Sequence, residues 1–160
     1  MLIDFNALPA HAKVWLYYIP RQLTESEIVL VTNTLTAFCM QWIAHGTPLQ
    51  TSFRLLHEKF IVLAVDEDVH NASGCSIDGS VKIIRELGEK LQIDFFNRQF
   101  VAYWHADRLE VVPVLTFKMM NIAPDTFVLD QTVATIGELT QRTRINISET
   151  WLNRYTQVLA

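Results

Sequence analysis

Phe60-Ile61-Val62-Leu63-Ala64-Val65 is an unbroken apolar run that stops abruptly at Asp66. Side chains of an extended chain alternate between two sides, so a run with no polar interruption leaves no wet face and predicts a strand covered on both faces. The sheet that holds it must therefore be flanked on each side. Val14-Trp15-Leu16-Tyr17-Tyr18-Ile19, stopped by Pro20, is a second β-prone apolar run, and the pattern predicts the two strands adjacent and antiparallel at the centre of one sheet.

The remaining elements are read around these two. Thr24-Glu25-Ser26-Glu27 is a capping box, in which Thr24 and Glu27 each satisfy a backbone group of the other, and Ile28, Val31, Leu35, Phe38, Cys39 and Trp42 form the apolar stripe of a helix behind it. Gly46 is expected to end that helix, with Pro48 preventing its resumption. Thr51, Phe53 and Leu55 alternate with Ser52 and Arg54, and the polar His57-Glu58-Lys59 turns this half-buried strand into the 60–65 strand as a hairpin. Ile77, Val81, Ile84, Leu87 and Leu91 recur at helical spacing. Phe100 to Trp104 reads as a further strand, joined through 105–108 to a short edge strand ending at Pro113.

Strand, helix, strand, strand, helix, strand is the order of the ferredoxin-like split βαβ arrangement, an α+β fold with an antiparallel sheet. The chain is expected to be one domain, with a ferredoxin-like body over 13–113, a fifth strand, and a helical C-terminal extension over 114–160. Within the extension the pattern gives a helical turn at Phe117–Met120, a strand at Thr126–Leu129, a helix at Thr135–Arg142 and an amphipathic piece at Ser148–Tyr155. It is expected to pack on the body through Phe127, Leu129 and Trp151, and the four tryptophans are expected in the core.

A length of 160 residues with 50% apolar and 11% aromatic content suits a single core. The net charge of −4 and a pI near 5.7 carry no basic surplus, so neither a nucleic-acid nor an anionic-membrane partner is expected. No signal sequence or membrane-spanning run is visible, which predicts a cytoplasmic protein. Cys39 falls on the buried stripe of the first helix and Cys75 does not, so two reduced thiols with different roles are expected.

Asp66 to Asp78 is the stretch richest in chemistry: Val65-Asp66-Glu67-Asp68-Val69-His70-Asn71-Ala72-Ser73-Gly74-Cys75-Ser76-Ile77-Asp78. It links an apolar strand to a helix. Ser73, Ser76 and Asp78 are residue types that cap helices, and Gly74 permits a turn closed to other residues. Cys75 is then expected near a helix start, where unpaired N–H groups favour a thiolate or a bound anion. In the ferredoxin-like order, the 45–48, 66–78 and 105–107 loops converge at one pole. Two function classes follow. One is a binding or interaction module taking a small molecule or a protein partner at that pole, with Gly46, Glu67, Gly74, Ser76 and Asp78 lining it. The other is a thiol-dependent enzyme of acyl-transfer or redox type, with Cys75 as nucleophile, His45 or His105 as base, and Asp66 beside them. No C-x-x-C, H-x-H or H-E-x-x-H spacing is present, so no metal or other cofactor is expected. The oligomeric state stays open.

His45-Gly46-Thr47-Pro48-Leu49, Val65-Asp66-Glu67, the hexapeptide Ser73-Gly74-Cys75-Ser76-Ile77-Asp78 and the Ser148–Trp151 segment together resemble a family of short proteins from Bacteroidetes-type bacteria. The resemblance covers most of the chain and implies no established activity; His70 lies outside its pattern. Some members carry the label "ABC transporter ATPase". A P-loop needs G-x-x-x-x-G-K-[ST], and none of the glycines at 46, 74, 79, 88 and 137 is followed by Lys, so the label does not fit this chain.

Overall fold

The computed structural model describes residues 1–68 and 74–157, with residues 74–76 as backbone. The 60–65 run extends to Asp66 as a strand that lies between two others. Strand β1 (Lys13–Tyr18) leads to helix α1 (Glu25–Gln41), and a short hairpin follows, β2 (Ile43–Ala44) with β3 (Thr47–Pro48). Next come β4 (Gln50–Leu56), β5 (Phe60–Asp66) and helix α2 (Gly74–Leu91). The second half holds β6 (Phe100–His105), β7 (Arg108–Pro113), α3 (Val114–Met119), β8 (Phe127–Val128), α4 (Ile136–Arg142) and β9 (Ile145–Asn146), ending in 3-10 turns at Ile147–Glu149 and Trp151–Tyr155. The fold is α+β with antiparallel sheets.

β5 is the middle strand of the first sheet. β1 pairs with one edge, Lys13 opposite Val65 through Tyr18 opposite Phe60, and β4 pairs with the other, Gln50 opposite Asp66 through Leu56 opposite Phe60. Both faces are covered, as the apolar run requires. Tyr17, Ile19, Ile61 and Leu63 pack under α1 and α2 with Val31, Leu35, Ile84 and Leu87. Val14, Leu16, Tyr18, Phe60, Val62 and Ala64 face the other way, against Ala102, Leu109, Leu129 and Leu139 of the second half.

That second half departs from the expected topology. β6 pairs with β7 and β8, giving a separate sheet in the order β7-β6-β8-β9, so it does not border β1 as the ferredoxin-like order demands. The Phe100 ring lies 5.6 Å from Tyr18 and the Trp104 ring 5.1 Å from His57. Tyr18 and His57 stand on opposite sides of β5, so β6 runs across the first sheet's strands, not along them. Its other face, with Val101 and Val128, is covered by Phe117, Ile122, Ile147 and Leu152. The layers are helices, sheet, crossed sheet and an outer cover from the extension.

Three local expectations are corrected. β1 is an outer strand; its continuous apolar pattern reports two covered faces and says nothing of its edges, one of which is bonded by Val14 N to the Ala134 carbonyl at 2.9 Å. α1 begins on its capping box, Thr24 with Glu27, but stops at Gln41, short of Gly46. Trp42 leaves the helix in an extended conformation because its ring is buried against Phe38, 4.8 Å away, and Trp15, 6.2 Å away, and its carbonyl accepts from Leu49 N at 3.0 Å. His45 and Gly46, at φ 50° and 77°, instead turn the β2–β3 hairpin, where left-handed backbone suits glycine. Finally, Leu129 is buried, whereas Phe127 and Trp151 are 40% and 38% exposed and do not anchor the extension.

Cys39 is buried as its stripe predicts, and burial pushes its thiol up to about 11. In a Cys75→Ala chain, a disulfide reagent is expected to find no fast-reacting thiol until denaturant is added. Rapid labelling of the native chain would show that the α1–α2 layer opens. Among the described residues, no helix is long and apolar enough to cross a membrane.

Candidate functional site

The acidic stretch emerges where β5 ends, between the starts of its two neighbours. Asp66, the last residue of β5, pairs with Gln50 of β4, and Val65 pairs with Lys13 of β1. Continuing the β1–β5 ladder beyond Lys13 carries His11 alongside residues 66–68. The His11 Nε2 atom lies 2.8 Å from Asp68 Oδ1 and 3.5 Å from Asp66 Oδ1, and Lys13 Nζ lies 2.6 Å from Glu67 Oε2. Asp68 N–H donates to Asp66 Oδ1 at 3.0 Å, a turn that brings the two carboxylates to the same side while Glu67 goes to Lys13. The side chain of Asp66 is 11% exposed, against 61% for Asp68.

The backbone that presents His11 is held from behind. Ala12 N donates to the Pro9 carbonyl at 3.0 Å, closing a turn around His11. The start of α4 then grips that turn, with Gly137 N donating to the Ala10 carbonyl at 2.8 Å and Ile136 N to the Ala12 carbonyl at 3.0 Å. A Cβ at position 137 would sit 3.1 Å from the Ala10 carbonyl oxygen, so glycine is what allows this close approach. The C-terminal extension thus fixes one wall of a site on the first sheet.

Of the three loops expected at one pole, the 45–48 hairpin lies beside the end of β5, where the 66–78 stretch begins. The β2–β3 hairpin that carries His45 and Gly46 is seated through Ala44 on Trp42, Leu49 and Val65, beside the end of β5. His45 is exposed at its tip, and the imidazole set against Asp66 is that of His11. The 105–107 turn lies at the opposite end. With Gln22, His57, Glu58, Lys59, Arg108 and Leu109, Asp107 lines a cleft of about 420 Å³ there. His105 is therefore removed from Asp66 and from α2, because β6 belongs to the crossed sheet. α2 starts at Gly74, so Ser76 and Asp78 lie inside the helix and are not its caps; Asp78 is exposed on it. Val69, His70, Asn71, Ala72 and Ser73 lie outside the described residues, as do the side chains of Cys75 and Ser76, and the thiol chemistry expected of Cys75 lies outside them too.

His11 and Lys13 are the site residues that sequence reasoning passed over. The signal for them was the strand register. Once β1 and β5 are antiparallel neighbours, the residues just before one strand face those just after the other. What the geometry defines is a small α+β protein with a polar, net acidic pole at the end of its central strand. No family model, curated protein or solved structure matches the chain.

Proposed function

We propose that the chain is a cytoplasmic binding module whose ligand presents a cationic group to the pole at the end of β5. The observation that carries this is the pairing pattern among the described residues: Lys13 is engaged with Glu67, while Asp66 and Asp68 share the imidazole of His11. Two carboxylates against one imidazole leave the pole negative even when His11 is protonated, which favours a cation and disfavours the anion that a helix start alone would attract. A small amine, a guanidinium or a basic segment of a protein partner meets that requirement. We extend the reading to the Bacteroidetes-type family that the Ser73–Asp78 hexapeptide resembles, whose shared 65–67 segment falls at this pole. The competing reading, a thiol enzyme at Cys75, loses His105 as its base.

The test is titration of the isotopically labelled full chain with spermidine, arginine amide and a lysine-rich peptide, with glutamate and an acidic peptide as counterparts. Saturable amide shifts confined to residues 11–13 and 66–68, produced by the cations alone and abolished by Asp66→Asn, are expected. Shifts spread over the surface, or equal for both charge classes, would sink the proposal.

A further inference from the structure

We propose that His11, Asp66 and Asp68 together form a site for one divalent transition-metal ion, a deepening that rests on the cation-binding reading above. Each contributes one donor atom, and the three atoms lie within 4.8 Å of one another. Two donors bound to one ion at about 2.1 Å stand about 3.0–3.4 Å apart at octahedral or tetrahedral angles. The His11–Asp68 and His11–Asp66 separations, 2.8 and 3.5 Å, bracket that range, and the two carboxylate oxygens, within 4.8 Å of each other, close to it by rotation of the exposed Asp68 side chain.

An imidazole is the feature that separates this group from an ordinary acidic surface. One nitrogen and two carboxylate oxygens suit Zn²⁺, Mn²⁺, Fe²⁺, Co²⁺ or Ni²⁺, whereas Ca²⁺ and Mg²⁺ prefer all-oxygen sets. The backbones that carry two of the three donors are also held before any ion arrives. Asp66 is fixed at a strand end by its pairing with Gln50, and the His11 turn is clamped by residues 136 and 137. Asp68, the most exposed of the three, leaves the outward side of the ion open to water or to a donor of the ligand. A divalent ion would also balance the carboxylate that the shared imidazole leaves uncompensated.

The experiment uses the full chain stripped with a chelator, titrated calorimetrically with Zn²⁺ and Mn²⁺, with Mg²⁺ and Ca²⁺ as comparators. One saturable site per chain for Zn²⁺ or Mn²⁺ is expected, together with Mn²⁺ line broadening centred on residues 11 and 66–68. His11→Gln and Asp68→Asn, both changes of exposed side chains, are each expected to weaken binding at least about tenfold. His57→Gln at the opposite end is expected to leave it unchanged. Absence of a saturable site, or binding that survives the loss of both His11 and Asp68, would overturn the inference and reduce the trio to an ion pair. If spermidine saturates the pole while Zn²⁺ and Mn²⁺ do not, the metal site falls and the binding-module reading stands; if none of them binds, both fall.

Discussion

Phe60→Ala is expected to destabilise the fold by about 4 kcal/mol, within the ~3–5 kcal/mol typical of a buried Phe truncated to Ala. Phe60 is fully buried on the middle strand of the first sheet, with its ring 4.6 Å from that of Tyr18. Phe100 of the crossed sheet packs on Tyr18 in turn, so the ring sits at the junction of the two sheets. No neighbouring segment is free to collapse into the space, because β1 and β4 hold β5 from both edges and β6 lies across it. Denaturant or thermal unfolding of the variant measures the loss; a fall of roughly 10 °C in Tm is expected for a chain of this size. Val29→Ala, at an exposed helix position, is the control and is expected to change little. An equal loss in both would show that the sheet junction carries no special weight.

Arg142→Ala is expected to cost about 2–3 kcal/mol, through a charge left stranded and not through a cavity. Arg142 Nε lies 2.6 Å from Asp130 Oδ2, and the Asp130 side chain is 7% exposed. Breaking a buried pair from one side costs ~3–5 kcal/mol; the figure here is lower because Arg142 itself is partly open to water and Thr132 still donates to the carboxylate. Adding Asp130→Asn to Arg142→Ala removes the stranded charge and is expected to restore part of the stability. The pH dependence has a definite sign. Burial pushes the Asp130 carboxyl up, but hydrogen bonds from Thr132 and the Arg142 guanidinium outweigh it and hold it below its ordinary value. A carboxyl lowered in the folded state contributes stability that is present above the unfolded value near ~3.9 and lost as pH falls through the folded one. Without Arg142 the folded carboxyl is no longer held so far below its unfolded value, so the acid-side decline is expected to be shallower. Melting temperatures of both chains between pH 2 and 7 check this, and superimposable acid limbs would refute it.

These expectations differ in how far the sequence anticipates them. The burial of β5, its hairpin with β4 and its antiparallel pairing with β1 are all visible in the patterns at 14–19, 51–55 and 60–65. The capping box at Thr24 is equally local, since every partner in it lies within three residues. The Asp130–Arg142 pair is a different case. Nothing in either residue's neighbourhood distinguishes it from a solvated charge, and the pair exists because Asp130 N bonds to the Arg142 carbonyl at 3.0 Å, where the chain after β8 meets the end of α4.

Sequence by itself determined the longer strands and helices and the two-sided burial of the central strand, because both depend on periodicity over a few residues, whereas the two-residue strands carry no such period. It also located the acidic stretch after β5. Tertiary structure alone decided what covers that strand and what faces that stretch. A run of apolar side chains requires cover on both sides but is indifferent to whether the cover is a helix or a second sheet, so the ferredoxin-like order and the crossed sheet satisfy the same pattern. In the same way, His45, His105 and His11 are equivalent in composition, and register and sheet crossing choose among them: one sits at a hairpin tip, one at the far end, and one beside Asp66 and Asp68.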